Sequence, residues 1–306
     1  MHKRHRWHLL LIAMLVAAAT ALAACGDDDD DDGGDGEETT AATEVEQFPA
    51  NTTMGKIQEA GELRIGVKYD VPPFGLNNPQ TGEVEGFDID LGNYIADKLG
   101  VEVKTREATS DNRIPLLVDG TIDLILSTMT ITEERDQEID FSEPYYVANG
   151  DVLVPEGTEI ASLDDLNGKR VCTALGSTYA DTVEKEAPQA DLRLVDLYSE
   201  CFDQIQTGSV DAVSTDNVIL TGMVIQDDTL QLLGLDFTTE PYGVGIQEGD
   251  TEMKQFVDET LTEYIDSGAW QEAYDEWVGQ HLAEDQQQGP PDITLEEAIE
   301  LFPLEK

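Results

Sequence analysis

Leu126-Ser127-Thr128-Met129-Thr130-Ile131-Thr132 reads as a strand end crowded with hydroxyls, and two arginines, Arg113 and Arg135, stand on either side of it. Hydroxyl and guanidinium donors gathered at one strand end suit a small anion. The stretch opens Asn112-Arg113-Ile114-Pro115-Leu116-Leu117 and closes Asp140-Phe141-Ser142-Glu143-Pro144-Tyr145-Tyr146.

Outward from it, strand-like runs alternate with helical patterns. The runs are Leu63-Arg64-Ile65-Gly66-Val67, Leu124-Ile125-Leu126, Asp151-Val152-Leu153-Val154 and Ala212-Val213-Ser214. Such alternation predicts an α/β fold with largely parallel sheets. One helix is explicit: after Gly86-Phe87, Asp88 is placed to cap, and Leu91, Tyr94, Ile95 and Leu99 follow at helical spacing. No internal repeat is apparent, and residues 53–283 are enough for two lobes of ordinary domain size.

Residues 1–25 carry Lys3, Arg4 and Arg6, then an apolar run over 9–24, then Cys25. The run is about sixteen residues, short of the ~20 that a spanning helix needs, so it reads as a secretory signal. Its ending, Leu22-Ala23-Ala24-Cys25, resembles a bacterial lipobox, which implies lipidation of Cys25 and anchoring on the outer face of the cell membrane. Residues 26–52 carry six consecutive aspartates, Asp27 to Asp32, and predict a disordered acidic tether.

The net charge is -48, of which the tether supplies only a part. So acidic a surface excludes nucleic acid as a partner. An anionic ligand must therefore be held by local cations in a low-dielectric cleft. With Cys25 lipidated, Cys172 and Cys201 remain, and outside the cytoplasm an even pair predicts a disulfide. The four histidines are three in the signal segment plus His281, so no zinc site or other metal or cofactor is implied.

Gly86-Phe87-Asp88-Ile89-Asp90-Leu91, the 112–146 block, Leu163-Asp164-Asp165-Leu166-Asn167-Gly168-Lys169 and the stretch from Trp270 to Trp277 together resemble the extracytoplasmic amino-acid-binding proteins of ABC importers. The resemblance runs over about 61–279. It implies a two-lobed, periplasmic-binding-protein-like fold (type II), with lobe 1 from 53–148 and 241–283, lobe 2 from 149–240, and crossovers near 148–151 and 239–243. A ligand cleft lies between the lobes. Residues 284–306 form a tail beyond the family's usual end, with Leu295, Ala298, Ile299 and Phe302 at helical spacing.

A free amino acid presents a carboxylate, an ammonium and a side chain. The resemblance assigns the carboxylate to Arg135 with Thr130 and the backbone at Thr128, closed over by Gly176-Ser177-Thr178 at a helix start. It assigns the ammonium to Asp216. Lys68, Ser110 and Arg113 match positions that touch the ligand side chain in relatives binding glutamate and aspartate. Two cations beyond Arg135 call for a second carboxylate, because burying them against a neutral group is costly. The expected ligand is L-glutamate, with L-aspartate next; internal pairing of Lys68 with Asp70 or of Arg113 with Asp111 would shift it to glutamine or asparagine. The match is nearest to glutamate-binding lipoproteins of actinobacterial type, on Val171-Cys172-Thr173 and Tyr198-Ser199-Glu200-Cys201 among others. Val71 and Ser110 replace aromatic rings common in the family, leaving Tyr69 or Phe74 as substitutes. No catalytic constellation is present, so the protein is read as a binding protein and not an enzyme, a monomer whose partners are the amino acid and the permease subunits. A sensor on the same scaffold is the alternative role.

Overall fold

The computed structural model describes residues 45–304. The signal segment, Cys25 and the acidic run lie outside them. Residues 45–52, read as the end of the tether, instead lie on the body. The Phe48 ring meets Phe256 edge-on at 5.4 Å, and its N–H donates to the Gln58 side chain at 3.0 Å. A half-buried ring packed on the core and a satisfied amide remove that segment from the spacer.

Two sheets carry the molecule. The first has the order Glu102–Glu107, Glu62–Val67, Leu124–Ile125, Gly245–Gln247, Ile139–Phe141. Its first three strands are parallel, and Gly245–Gln247 runs against its neighbours. Leu63, Ile65 and Val67 are wholly buried, with Arg64 between them turned outwards, the alternation expected of a strand with one covered face. The second sheet has the order Asp191–Val195, Arg170–Ala174, Ala212–Asp216, Tyr146–Pro155, Leu230–Leu232. Here too a parallel core is flanked by antiparallel strands. The expectation of largely parallel sheets thus needs correction: a strand that returns from the other lobe enters its sheet reversed. The architecture is a mixed α/β, two-lobed fold of the periplasmic-binding-protein kind.

The two crossing strands are paired. Thr239–Tyr242 runs antiparallel to the start of Tyr146–Pro155, with Glu240 opposite Ala148 and Tyr242 opposite Tyr146. Beneath them lies an aromatic core in which Phe74 packs on Tyr146 at 4.8 Å and on Tyr242 at 5.6 Å, while Trp270 Nε1 donates to Tyr145 O at 2.8 Å. Phe74, Tyr145, Tyr146, Tyr242 and Trp270 are each at most 1 % exposed, so the crossing point is firmly packed.

One device appears in both lobes. Asp123, just before Leu124–Ile125, accepts from the backbone N–H and guanidinium of Arg64, and Asp211, just before Ala212–Asp216, does the same for Arg170. Each aspartate locks the register of a parallel pair whose inner strand ends in the site: Ser127 and Thr128 follow one, and Thr215 and Asp216 end the other. The lobes therefore share a construction that the sequence hides, because the paired residues stand 59 and 41 positions apart.

Cys172 and Cys201 are bridged as expected, joining the strand Arg170–Ala174 to the helix Tyr198–Gln206. In the chain-entropy account, closing a loop of this length is worth roughly 3.5 kcal/mol. Reduction should lower the thermal unfolding midpoint, measured by circular dichroism with and without reductant; an unchanged midpoint would contradict the bridge.

Candidate functional site

The first lobe's contribution begins where Leu124–Ile125 ends. Thr128 has φ 44°, a left-handed conformation that costs a non-glycine residue roughly 1–3 kcal/mol unless its surroundings enforce it. Three bonds do so. Asp88 Oδ2 accepts from Thr128 N at 3.0 Å, and Arg113 Nη1 donates to Ser127 O at 2.6 Å and to Thr128 O at 3.3 Å. Asp88 also accepts from Tyr145 OH at 2.7 Å and is wholly buried, which pushes its carboxyl up to about 7. Its reading as a helix cap is therefore corrected: Gly86 holds the cap position of Phe87–Leu99, and Asp88 is a buried prop for the strand end.

Beyond Thr128, the hydroxyl residues Thr128, Thr130 and Thr132 alternate with Met129 and Ile131, which are wholly buried in an apolar cluster. Arg135 follows at a short 3-10 turn. Its guanidinium donates to Thr130 O at 2.6 Å and, across the cleft, to Gly176 O at 3.0 Å. Among the described residues, Arg135 forms no ion pair with its near neighbours Glu133 and Asp136.

The second lobe answers with three elements. Ser177 precedes the helix Thr178–Glu186 in the cap position without capping it, its hydroxyl donating to Ala174 O at 2.7 Å, so its side chain leaves the first helical N–H groups uncapped. Asp216 ends its strand and accepts from Tyr179 OH at 2.9 Å. Burial and the neighbouring Glu240 both push its carboxyl up. Glu240, on the second crossing strand, is wholly buried and accepts from Thr178 Oγ1 at 3.0 Å and Thr238 Oγ1 at 2.7 Å.

A small pocket lies where these elements meet. Ser110, Arg113, Thr128, Thr130 and Arg135 line it from one lobe, and Ser177, Thr178 and Asp216 from the other. Lys68 stands just behind: its ammonium donates to Ser110 Oγ at 2.7 Å and lies 5.3 Å from the centre of the Tyr198 ring. All nine residues singled out in the sequence therefore converge.

Three participants were not foreseen. Tyr179 and Tyr198 line the space, whereas Phe74 is in the core and Tyr69 is bonded to Thr105 at 3.1 Å, so neither proposed aromatic substitute reaches it. The sequence signal for the tyrosines was their place at two helix starts in the second lobe. Glu240 gave no signal of its own in a chain with 65 acidic residues.

The electrostatics are unusual. Among the described residues, none of Lys68, Arg113 and Arg135 is ion-paired with a carboxylate, and Arg113 Nε has no hydrogen-bond partner. Burial, reinforced by Arg113, pushes Lys68 down to about 7; burial, reinforced by Arg135, lowers Arg113. Asp70, the expected internal partner of Lys68, accepts from Ser199 N at 3.0 Å. The cleft thus brings together the carboxylate of Asp216 and three cationic side chains, Lys68, Arg113 and Arg135, none of them ion-paired among the described residues.

The lobes are closed upon each other. A Cβ on Gly176, at φ 74°, would lie 2.8 Å from Asp111 Cα, and one on Gly222 would overlap Pro72 O. Both contacts join the lobes.

A family model described as bacterial extracellular solute-binding proteins, family 3, matches residues 63–280. The glutamine-binding protein GlnH of Bacillus subtilis is 40% identical over 236 residues, 76% of this chain and 86% of that protein. The glutamate-binding protein GluB of Corynebacterium efficiens is 32% identical over 252 residues, 78% and 85% respectively. Among solved structures, an ancestral arginine-binding protein bound to glutamine superposes with a TM-score of 0.69 at 39% identity, covering 72% of this chain and 98% of that one. The expected nearness to glutamate-binding relatives is thus not reflected in identity, which is higher to GlnH.

Gly176→Ala should hold the lobes apart, because the added methyl meets backbone and the left-handed φ disfavours any side chain. Small-angle scattering in saturating amino acid should give a larger radius of gyration for the variant than for the parent; equal radii would contradict the close approach.

Proposed function

The chain belongs to family 3 of the bacterial extracellular solute-binding proteins, and on that premise we propose that its cleft captures L-glutamate, and L-aspartate after it, for an ABC importer. The observation that carries this reading is the buried positive charge. The α-carboxylate answers Arg135, with Thr130 and the helix start at Ser177–Thr178 beside it. The ammonium answers Asp216. Glu240 is occupied by Thr178 and Thr238. Lys68 and Arg113 then remain, and a γ-carboxylate between them supplies what Ser110 and two backbone carbonyls do not.

Glutamine is the second reading, and the identity to GlnH and the glutamine-bound ancestral structure favour it. A Lys68 held near 7 can lose its proton, and a neutral amine beside Ser110 is compatible with a carboxamide.

Binding is a population shift. Ligand enters the open form, and contacts from both lobes favour the closed one, the state a permease can recognise. Cys25 carries the lipid anchor in this account, residues 26–44 serve as spacer, and the protein works outside the cytoplasm on the membrane's outer face.

Calorimetric titration with glutamate, aspartate, glutamine and asparagine tests the assignment. Glutamate should bind most tightly; tight glutamine binding without glutamate binding would overturn the acidic reading and leave the amide. Arg135→Ala should weaken every amino acid by about 2–5 kcal/mol, as does removing one member of a buried charge pair. Lys68→Met keeps the length of the side chain and removes its charge. It should weaken glutamate by about 10- to 100-fold, the worth of one charge-assisted hydrogen bond, and leave glutamine nearly unchanged; equal losses would make Lys68 structural.

A further inference from the structure

The chain after residue 280 lies beyond the family match, yet it returns to the ligand-gripping segment from behind. Gln288 anchors the return: its N–H donates to Tyr274 OH at 3.0 Å, and its side chain donates to Val147 O, on the first crossing strand, at 3.1 Å. After Gly289-Pro290-Pro291, the helix Leu295–Leu301 starts with a capping box in which Thr294 and Glu297 satisfy each other's backbone N–H. Leu295 N donates to Glu143 Oε2 at 2.8 Å.

The helix then buries Ala298 completely, in one apolar cluster with Met129, Ile131, Ile125 and Phe141. Ile293, Leu295 and Ile299 pack around its edge. At the far end, Glu133 N donates to Phe302 O at 3.1 Å, and Glu133 Oε2 accepts from Leu304 N at 2.7 Å.

The placement of these contacts gives them meaning. Met129 and Ile131 are the alternate residues of the strand end that shows Thr128 and Thr130 to the cleft, and Glu133 is two residues before Arg135. Regular pairing has already stopped at Ile125; afterwards the segment is tied to the second crossing strand by the bridge of Thr130 to Tyr242, and it contains the strained Thr128. We propose that the C-terminal helix is a rear brace, with Ala298, Phe302 and Leu304 acting as positioning residues that hold Thr128, Thr130 and Arg135 in their ligand-binding geometry. The proposal rests on the reading of the cleft as an amino-acid site.

Energetic coupling between two sites is reciprocal: what the brace does for the ligand, the ligand must do for the brace. That property separates a brace from a helix that only covers apolar surface. Three measurements use it. First, amide hydrogen exchange of the unmodified protein should slow at Glu133 and across 295–304 when glutamate or glutamine saturates the cleft. Second, a chain stopped after Gln288 should bind the preferred amino acid about 5- to 100-fold more weakly, the usual span of such coupling, while still unfolding cooperatively. Third, a synthetic peptide of residues 289–306 should restore that affinity in trans, and saturating amino acid should tighten the peptide's own binding by the same factor.

Full affinity in the shortened chain, peptide binding indifferent to the amino acid, or unchanged exchange at Glu133 would each overturn the brace. If the shortened chain does not fold, the exchange experiment alone decides. Absence of binding by the unmodified protein to any amino acid would instead remove the cleft reading, a result separate from the comparison between the two chains.

Discussion

Three side chains, Lys68, Arg113 and Arg135, bring positive charge into a cleft where, among the described residues, no carboxylate pairs with them. A buried charge is tolerated only where polar groups or a counter-charge replace the lost water. The protein supplies neutral acceptors: Ser110 Oγ for Lys68, the carbonyls of Ser127 and Thr128 for Arg113, and those of Thr130 and Gly176 for Arg135. Those acceptors explain the left-handed Thr128, since its turn aims two carbonyls at one guanidinium. Gly176 must be glycine for a separate reason: its left-handed φ and its close approach to the Asp111 backbone leave no room for a side chain.

Closure depends on the same charges. Arg135 reaches Gly176 of the other lobe, and Asp70 accepts from Ser199 at the start of a second-lobe helix. Glu240 adds a hinge-borne acceptor that holds Thr178. The paired crossing strands over the aromatic core give the lobes a firmly packed junction. The tail extends this logic to the rear of the site, supporting a strand end that little regular pairing holds in place.

What could be read from the sequence divides along physical lines. Arg135, Thr130, Asp216 and the Lys68, Ser110 and Arg113 group were legible because each lies in a local motif at the end of a strand or beside one. The α/β alternation was legible from short apolar runs. Asp88 was misread, because two residues after Gly86 it looks like a cap, and only tertiary burial turns it towards Thr128. Tyr179 and Glu240 were not read as site residues because they reach the cleft through partners far away in sequence, Asp216 for Tyr179 and Thr178 for Glu240, and Tyr198 was not because its ring meets Lys68 from the other lobe. The helix at 295–301 was legible from its spacing, but its seat was not: Glu133 and Leu304 are separated by 171 positions.

The central claim is that the cleft's spare positive charge reads a second carboxylate. A crystal structure of the glutamate complex tests it most directly. The account predicts the γ-carboxylate within hydrogen-bond reach of both Lys68 Nζ and the otherwise unpartnered Arg113 Nε. A γ-carboxylate held only by water, with Lys68 and Arg113 still confined to Ser110 and the backbone carbonyls, would contradict it.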